Sequence, residues 1–352
     1  MLVIDGSQGE GGGQILRTCL SLSALTGRPF RLENIRLRRS NPGLRPQHLT
    51  AVRAVAAVCH AELTGADLNS TFLEFRPQSP PQNGEYSFDV SDAAKGGSAG
   101  AVTLIFQALL WPLLFAAGPS YLTLRGGTHV PFSPPYHYLA EVVRPAFARL
   151  GALFETELRA WGWYPPGGGV MTATIESITH LQAASFVRHP VERIEGIAAV
   201  TNLPAHIPHR LARRAGNLLA GAGYSHKIEA LRERSAGQGA GIVLWLANAG
   251  FTSLGRPGLP AEKVAETAVA ELLAFLDNGA AVDKNLADQL LLPLALSQAS
   301  ARFTTDQLTQ HISTSADLLR QWLEDVAITI TGKADQPVQI EITGVHFTPR
   351  KT

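Results

Sequence analysis

The chain has 352 residues, of which 45% are hydrophobic and 17% charged. This length favours two or more cores, and the balance suits a soluble globular protein. A formal net charge of +1 excludes a protein that is basic throughout, so any nucleic-acid contact has to be a local patch. Two cysteines, Cys19 and Cys59, both fall in predicted helices, which fits buried thiols and not a disulfide or zinc framework. The N-terminal run MLVIDGSQ lacks a basic region and a signal-type apolar core, and a cytoplasmic location is the expectation.

A short apolar strand, Met1 to Ile4, leads into DGSQGEGGGQILR at 5–17. Glycines between a strand and a helix let backbone N–H groups approach an oxyanion, and the helix N-terminus favours that charge. The spacing fits neither GxGxxG nor GxxxxGK[ST], and Glu10 sits inside the loop. A carboxylate facing phosphates is repulsive unless a divalent cation lies between them, so Glu10 is a candidate metal ligand or general base. Gln14 to Thr26 reads as an amphipathic helix carrying Arg17, and Phe30 to Arg38 as a strand before the Asn41-Pro42-Gly43 turn. Five arginines lie between positions 31 and 45 against one acid, Glu33. A second helix follows over Gln47 to Ala61, then strands near Leu63 to Leu68 and Thr71 to Arg76.

The pattern recurs. A strand near Tyr86 to Val90 precedes KGGSAG, a helix from about Ala101, a strand over Tyr121 to Arg125 and a helix over Tyr136 to Leu150. Strands near Leu153 to Leu158 and Val170 to Ile175 flank the turn YPPGGG, and the order implies an internal repeat of roughly eighty residues. Residues 96–124 carry no charged side chain, but Thr103, Gln107 and Pro112 interrupt the apolar run, so a kinked buried helix is expected and not a membrane span.

Residues 186–278 change register and read as a compact α/β block: strands at Glu192 to Val200, His226 to Leu231 and Ile242 to Ala247, with helices at Pro208 to Gly221 and Ala261 to Asn278. Asp283 to Ala299 then starts a new helix. One or two helical turns are expected around His311, and strands at Ile328 to Ile330 and Val338 to Ile342 close a third, interrupted copy. The fold class is α/β (α+β).

Taken together, DGSQGEGGGQILR, the pattern RxxRxxPGLxxQHLTAV from Arg36 through Val52, GGT at 126–128, PPGGG at 165–169, LADQ at 286–289 and the later His311 resemble the RNA 3′-terminal phosphate cyclase family. The resemblance implies three βαβαββ-type units in one large domain, 1–185 and 279–345, with a smaller inserted domain at 186–278. It also implies an ATP-dependent enzyme, a ligase forming a phosphoric ester bond, that converts an RNA 3′-terminal phosphate to a 2′,3′-cyclic phosphodiester. AMP passes from ATP to an enzyme histidine and then to the RNA phosphate.

His311 matches the family nucleophile. Gln107 and the run Asn285, Leu286, Ala287, Asp288 and Gln289 match its ATP-binding positions, and Pro131 or Phe132 could contact the base. Arg17, Arg36, Arg39 and Gln47 match positions that contact phosphate or RNA, whereas Arg38 and Arg45 read as a solvated edge. Glu10 with Asp288 is expected to serve Mg²⁺ or Mn²⁺, and RNA with a 3′-terminal phosphate is the expected partner, with no membrane. The chain departs from the family at Asn285, where relatives carry an aromatic residue, and at Ser315, where they carry asparagine. Two other readings compete: a non-cyclising RNA-binding or rRNA-processing relative of the same fold, and a small-molecule transferase of the enolpyruvyl type.

Overall fold

A computed structural model describes residues 1–94, 97–332 and 337–349, so Lys95 and Gly96 of KGGSAG lie outside the described residues. The first unit runs β1 (Leu2–Asp5), α1 (Gly13–Thr26), β2 (Phe30–Glu33), α2 (Pro46–Cys59), β3 (Glu62–Thr64) and β4 (Leu73–Arg76). Its sheet has the order β1-β2-β4-β3, with β1 parallel to β2 and the other pairs antiparallel. β2 stops at Glu33, short of the expected Arg38. Asn34 and Arg36 take positive φ (53° and 54°), which turns the chain out of the sheet and places Arg36, Arg38 and Arg39 in a turn.

The second unit repeats this topology with β5 (Glu85–Asp89), α3 (Val102–Leu114), β6 (Ser120–Gly126), a helical stretch over 136–148, β7 (Phe154–Ala160) and β8 (Gly169–Ile175). The sheet order is β5-β6-β8-β7 and the pairing senses match those of the first unit. The helical stretch comprises α4 (Tyr136–Tyr138), a π-helical turn at Leu139–Val143 and α5 (Arg144–Ala148). α3 is buried along its length except at Gln107. That all-round burial, not a membrane, accounts for its uncharged sequence. Among the described residues, no helix is long and apolar enough to cross a membrane.

The third unit holds α8 (Lys284–Leu296), β13 (Ser300–Thr305), α9 (Gln310–Trp322), β14 (Ala327–Thr331) and β15 (Val338–Thr343), with the sheet order β13-β15-β14. Its first strand is reduced to one isolated parallel bridge, Val282 to Thr305. Two units are therefore complete and the third is truncated where the chain returns from the insert. β13 was not visible in the sequence, and α9 is a full thirteen-residue helix, longer than the expected turns. α1 packs against α2, α3 and α9, and α8 against α9, so the helices of the three units share one core.

The remaining segment forms β9 (Ile194–Thr201), α6 (His206–Gly221), β10 (His226–Glu233), β11 (Gly239–Leu246), β12 (Ala249–Leu254) and α7 (Ala261–Asn278). Its sheet order is β10-β9-β11-β12, with β12, absent from the sequence reading, paired antiparallel to β11. α6 and α7 cover one face and bury a separate apolar core with the sheet. Arg210 and Arg214 reach Glu262 and Glu266 across that helix pair at 2.7 Å each. The other face sets Ile197, Ala199 and Val243 against Trp161 and Trp163.

Asp283 clasps the two parts. Its carboxylate caps α8 through the N–H groups of Asn285 and Leu286 (2.7 and 3.0 Å) and accepts from Gly250 N at 3.0 Å and from the Tyr138 hydroxyl. Burial pushes this carboxyl up to about 6 against the pull of those donors. Removing the carboxylate strips a helix cap, worth about 1 kcal/mol, and leaves two buried donors unpaired at about 1–3 kcal/mol each. Asp283→Ala is expected to lose about 3–7 kcal/mol in urea denaturation, and Asp283→Asn less. Wild-type stability in Asp283→Ala would show that the clasp contributes nothing.

Candidate active site

The strand-to-helix loop is shaped locally before it meets anything else. The Asp5 carboxylate accepts from the N–H and hydroxyl of Ser7 (2.9 and 3.0 Å), and these bonds lower its pKa. Gly9 and Gly11 both lie in the left-handed region (φ 56° and 57°). Gly9 packs so closely on α9 that a Cβ there would collide with the Thr314 hydroxyl. Further along, a Cβ at Gly13 would collide with the His48 ring, and it would come within 3.0 Å of Arg17 Nη1. α1 begins with no side-chain cap and no acid in its first turn, so its leading N–H groups remain available to an anion.

His311 stands in the first turn of α9, between two carboxylates that are distant in sequence. Its Nε2 lies 3.0 Å from Glu10 Oε2, and its Nδ1 lies 3.7 Å from Asp288 Oδ2. Glu10 Oε2 also receives Arg39 Nη2 at 3.0 Å. Gln14 extends its Nε2 to Asp288 Oδ1, to the Ser315 hydroxyl and, at 3.2 Å, to the His311 carbonyl. Ser315 in turn donates to Asp288 Oδ1 at 3.0 Å. The expected serine departure therefore holds the carboxylate that faces the histidine.

Asp288 raises the His311 pKa above the ordinary imidazole value, with Glu10 adding to it and burial opposing it. Because the folded value is raised, this interaction adds stability at low pH that is lost as pH rises through the folded pKa.

Behind the imidazole, Gln14, Arg17, Gln107, Asp288, Gln289 and Ser315 line a narrow crevice of about 70 Å³. Gln107 donates to Gln289 Oε1 at 2.6 Å, and Gln289 donates to the Asn285 carbonyl at 3.1 Å. The largely buried Arg17 is lowered to about 10 by burial, and the charge of Asp288 opposes that shift. The crevice has room for one or two waters and not for a nucleoside, which would have to lie across its mouth.

Not every residue singled out in the sequence joins this group. Leu286 and Ala287 turn into the core, so their side chains are packing residues. Asn285 is exposed, and Pro131 and Phe132 project into solvent on a loop tied by Ser133 to Val130 and by Thr103 to Pro134. Phe132 is fully exposed and has φ 62°, a strained setting for an aromatic residue. Gln47 accepts the Ala101 N–H at 2.7 Å, which secures the start of α3. Arg36 donates to the carbonyls of Asn41 and Gly43 (2.6 and 3.1 Å) and so braces its own turn.

Gln14 and His48 were missed in the sequence, although both adjoin named motifs. His48 is pushed down to about 3 by burial and by the charges of Arg36, Arg17 and Arg45, so it stays neutral. Its Nδ1 accepts the Arg45 N–H at 3.2 Å. Glu10 and Asp288 face opposite ring nitrogens of His311. No cluster of three or more metal-ligating side chains occurs among the described residues.

Comparison with known proteins identifies the setting of this site. A family model described as RNA 3′-terminal phosphate cyclase matches residues 8–330. The chain belongs to the RNA 3′-terminal phosphate cyclase family. Proteins of that name from Gloeothece citriformis and Methylococcus capsulatus are each 49% identical to it. The alignments cover 92% of this chain and 93% of the first relative, and 90% and 89% for the second. The protein of the same name from Pyrobaculum aerophilum is 39% identical over 98% of both chains. Glu10, Asp288 and His311 all fall within the segment that matches the family.

The His311 environment makes a direct prediction. In an NMR titration its imidazole should titrate above about 6.5 in the wild type, and Asp288→Asn should bring the midpoint down. An unchanged midpoint in Asp288→Asn would remove Asp288 as the controlling charge.

Proposed function

We propose that the protein converts an RNA 3′-terminal phosphate to a 2′,3′-cyclic phosphodiester at the expense of ATP, through a histidine–AMP intermediate. The observation that carries this reading is the imidazole of His311 held between Glu10 and Asp288, beside Arg39 and the glycine loop. Asp288 faces Nδ1 and so presents Nε2, the atom that would attack the α-phosphorus of ATP. Glu10, at hydrogen-bond distance, would first take the proton from Nε2 and free its lone pair; the attack then forms the P–N bond and breaks the bond to pyrophosphate, while Nδ1 keeps its proton toward Asp288. An oxygen of the RNA terminal phosphate then attacks the same phosphorus and releases the imidazole. Finally the vicinal 2′-oxygen loses its proton, attacks the RNA phosphorus and expels AMP.

The logic of the sequence of steps is chemical. A phosphate monoester would have to expel oxide or hydroxide, whereas its adenylate expels AMP. Ring closure by a neighbouring hydroxyl draws on effective molarities of roughly 10⁵ M or more. Arg39 beside Glu10 and Arg17 at the start of the crevice supply positive charge where phosphates would gather. Glu10, with oxygens from the substrate phosphates, is the residue that would hold Mg²⁺ or Mn²⁺. The ion would supply charge neutralisation there. Gln107 and Gln289 would meet the nucleoside at the mouth of the crevice, and the exposed Pro131 and Phe132 offer an apolar surface to the base in place of an aromatic residue at 285. The insert is proposed to span 186–278.

Incubation with ATP labelled in the α-phosphate tests the reading. The wild type should become covalently labelled and His311→Ala should not. Label that survives in His311→Ala would reject this nucleophile, and an unlabelled wild type would reject the pathway.

Arg39→Ala separates the two substrates. It should weaken binding of RNA 3′-phosphate by about tenfold, the scale of one lost charge-assisted contact, and reduce self-labelling less. Equal loss of both would move Arg39 to ATP.

A further inference from the structure

α9 has two polar sides. Toward the crevice it presents His311 and Ser315. On the opposite, solvent side it presents Gln310, Ser313, Thr314, Asp317, Arg320 and Gln321, which recur at helical spacing along its whole length. This second row forms one wall of an open cleft of about 700 Å³. The facing wall is Gln8, Gly9 and Arg38. Gly9 and Thr314 touch where the two walls meet, and the neighbouring Glu10 pairs with His311, which also faces Asp288 of the crevice.

Arg38 is the group that gives this cleft a preference. Its side chain runs beside Gly11, and its guanidinium makes no hydrogen bond or ion pair among the described residues. The other arginines nearby are engaged: Arg36 with its own turn, Arg39 with Glu10, and Arg320 with Asp317 and the Ile328 carbonyl. Apart from the Asp317–Arg320 ion pair and Gly9, the rest of the lining consists of amides and hydroxyls, with no aromatic side chain among the cleft residues.

We propose that this cleft holds the RNA strand immediately 5′ of the terminal nucleotide, with Arg38 on a backbone phosphodiester and the amides and hydroxyls on ribose. The inference rests on the cyclase reading above and adds a site to it. Three features favour a strand over the pyrophosphate half of ATP. The cleft opens to solvent, which a polymer requires in order to leave the site. It offers one unengaged guanidinium, enough for a phosphodiester monoanion and too little for a group of three or four charges. Asp317 and Arg320 in its wall neutralise each other, which leaves Arg38 to balance one phosphodiester and nothing further for the concentrated charge of a pyrophosphate. The volume lies within the roughly 300–1,000 Å³ of sites that take small organic ligands. Without an aromatic platform, the cleft would read ribose and phosphate and be indifferent to the base.

The test compares two probes on the full chain: adenosine 3′-monophosphate and a trinucleotide RNA ending in a 3′-phosphate. Arg38→Ala removes the cation, and Ser313→Tyr fills the cleft from the helix side. Each variant should weaken trinucleotide binding by about five- to tenfold, leaving the mononucleotide within about twofold. For Arg38→Ala, the slope of log K against log salt for the trinucleotide should shrink by roughly 0.7, the signature of one lost phosphate contact on a single strand. Self-labelling by ATP should persist in both variants, which also shows that they fold.

Equal weakening of both probes, or no weakening of the trinucleotide, overturns the proposal. Loss of self-labelling in step with Arg38→Ala would assign the cleft to ATP and also overturn it. A wild type that takes no label would instead defeat the cyclase reading, and trinucleotide binding would still report on the cleft.

Discussion

The amide of Gln14 is the contact on which the arrangement around His311 depends. It leaves the start of α1 and reaches Asp288 on α8 together with Ser315 and the His311 carbonyl on α9. An amide nitrogen has only two hydrogens, so these three acceptors have to share them, and each is held close. One neutral side chain thus fixes the spacing of three helices from two units, and with it the distance from the imidazole to each carboxylate. A charged residue in its place would reach the same partners but would upset the balance between Asp288 and the partly buried Arg17.

The two carboxylates act on the histidine in opposing senses. They orient the ring and present Nε2, and they also hold its proton more tightly. An imidazole held in this way keeps its proton more readily than a free one. Positive charge near Glu10 relieves part of that effect, and Arg39 supplies some of it at rest. Strong positioning in the resting protein is thus compatible with release of the proton once substrate charges rearrange the pocket.

Much of the architecture could be read in the sequence, because alternating and helical apolar spacing recurs in each unit and the glycine loops mark the joins. The failures have local causes. β2 ends early because Asn34 and Arg36 take left-handed conformations that an arginine-rich run does not announce. β12 and β13 lack a clear apolar alternation and begin without a strong turn signal, and the third unit keeps only a bridge where its first strand would be. At the site, Glu10, Asp288 and His311 were legible as chemical types, and the family resemblance brought them together. Their distances were not, since nothing local to residue 10 encodes residue 311. The motif LADQ also mixes roles that a linear pattern cannot separate: Leu286 and Ala287 face the core, while Asp288 and Gln289 face the crevice.

The order in which the chain is made gives this distribution a temporal meaning. Glu10, Gln14 and Arg17 belong to the first unit, Gln107 to the second, and Asp288, His311 and Ser315 to the last. At roughly 5–20 residues per second, on the order of fifteen seconds to a minute separates synthesis of the glycine loop from synthesis of its partners on α8 and α9. During that interval the first unit exposes the flank of α1 that α9 will later cover. The insert is completed while it waits. His311 and Ser315 are therefore the last of the group to arrive, and a chain that stops before α9 carries the glycine loop without the residues that pack on it from that helix.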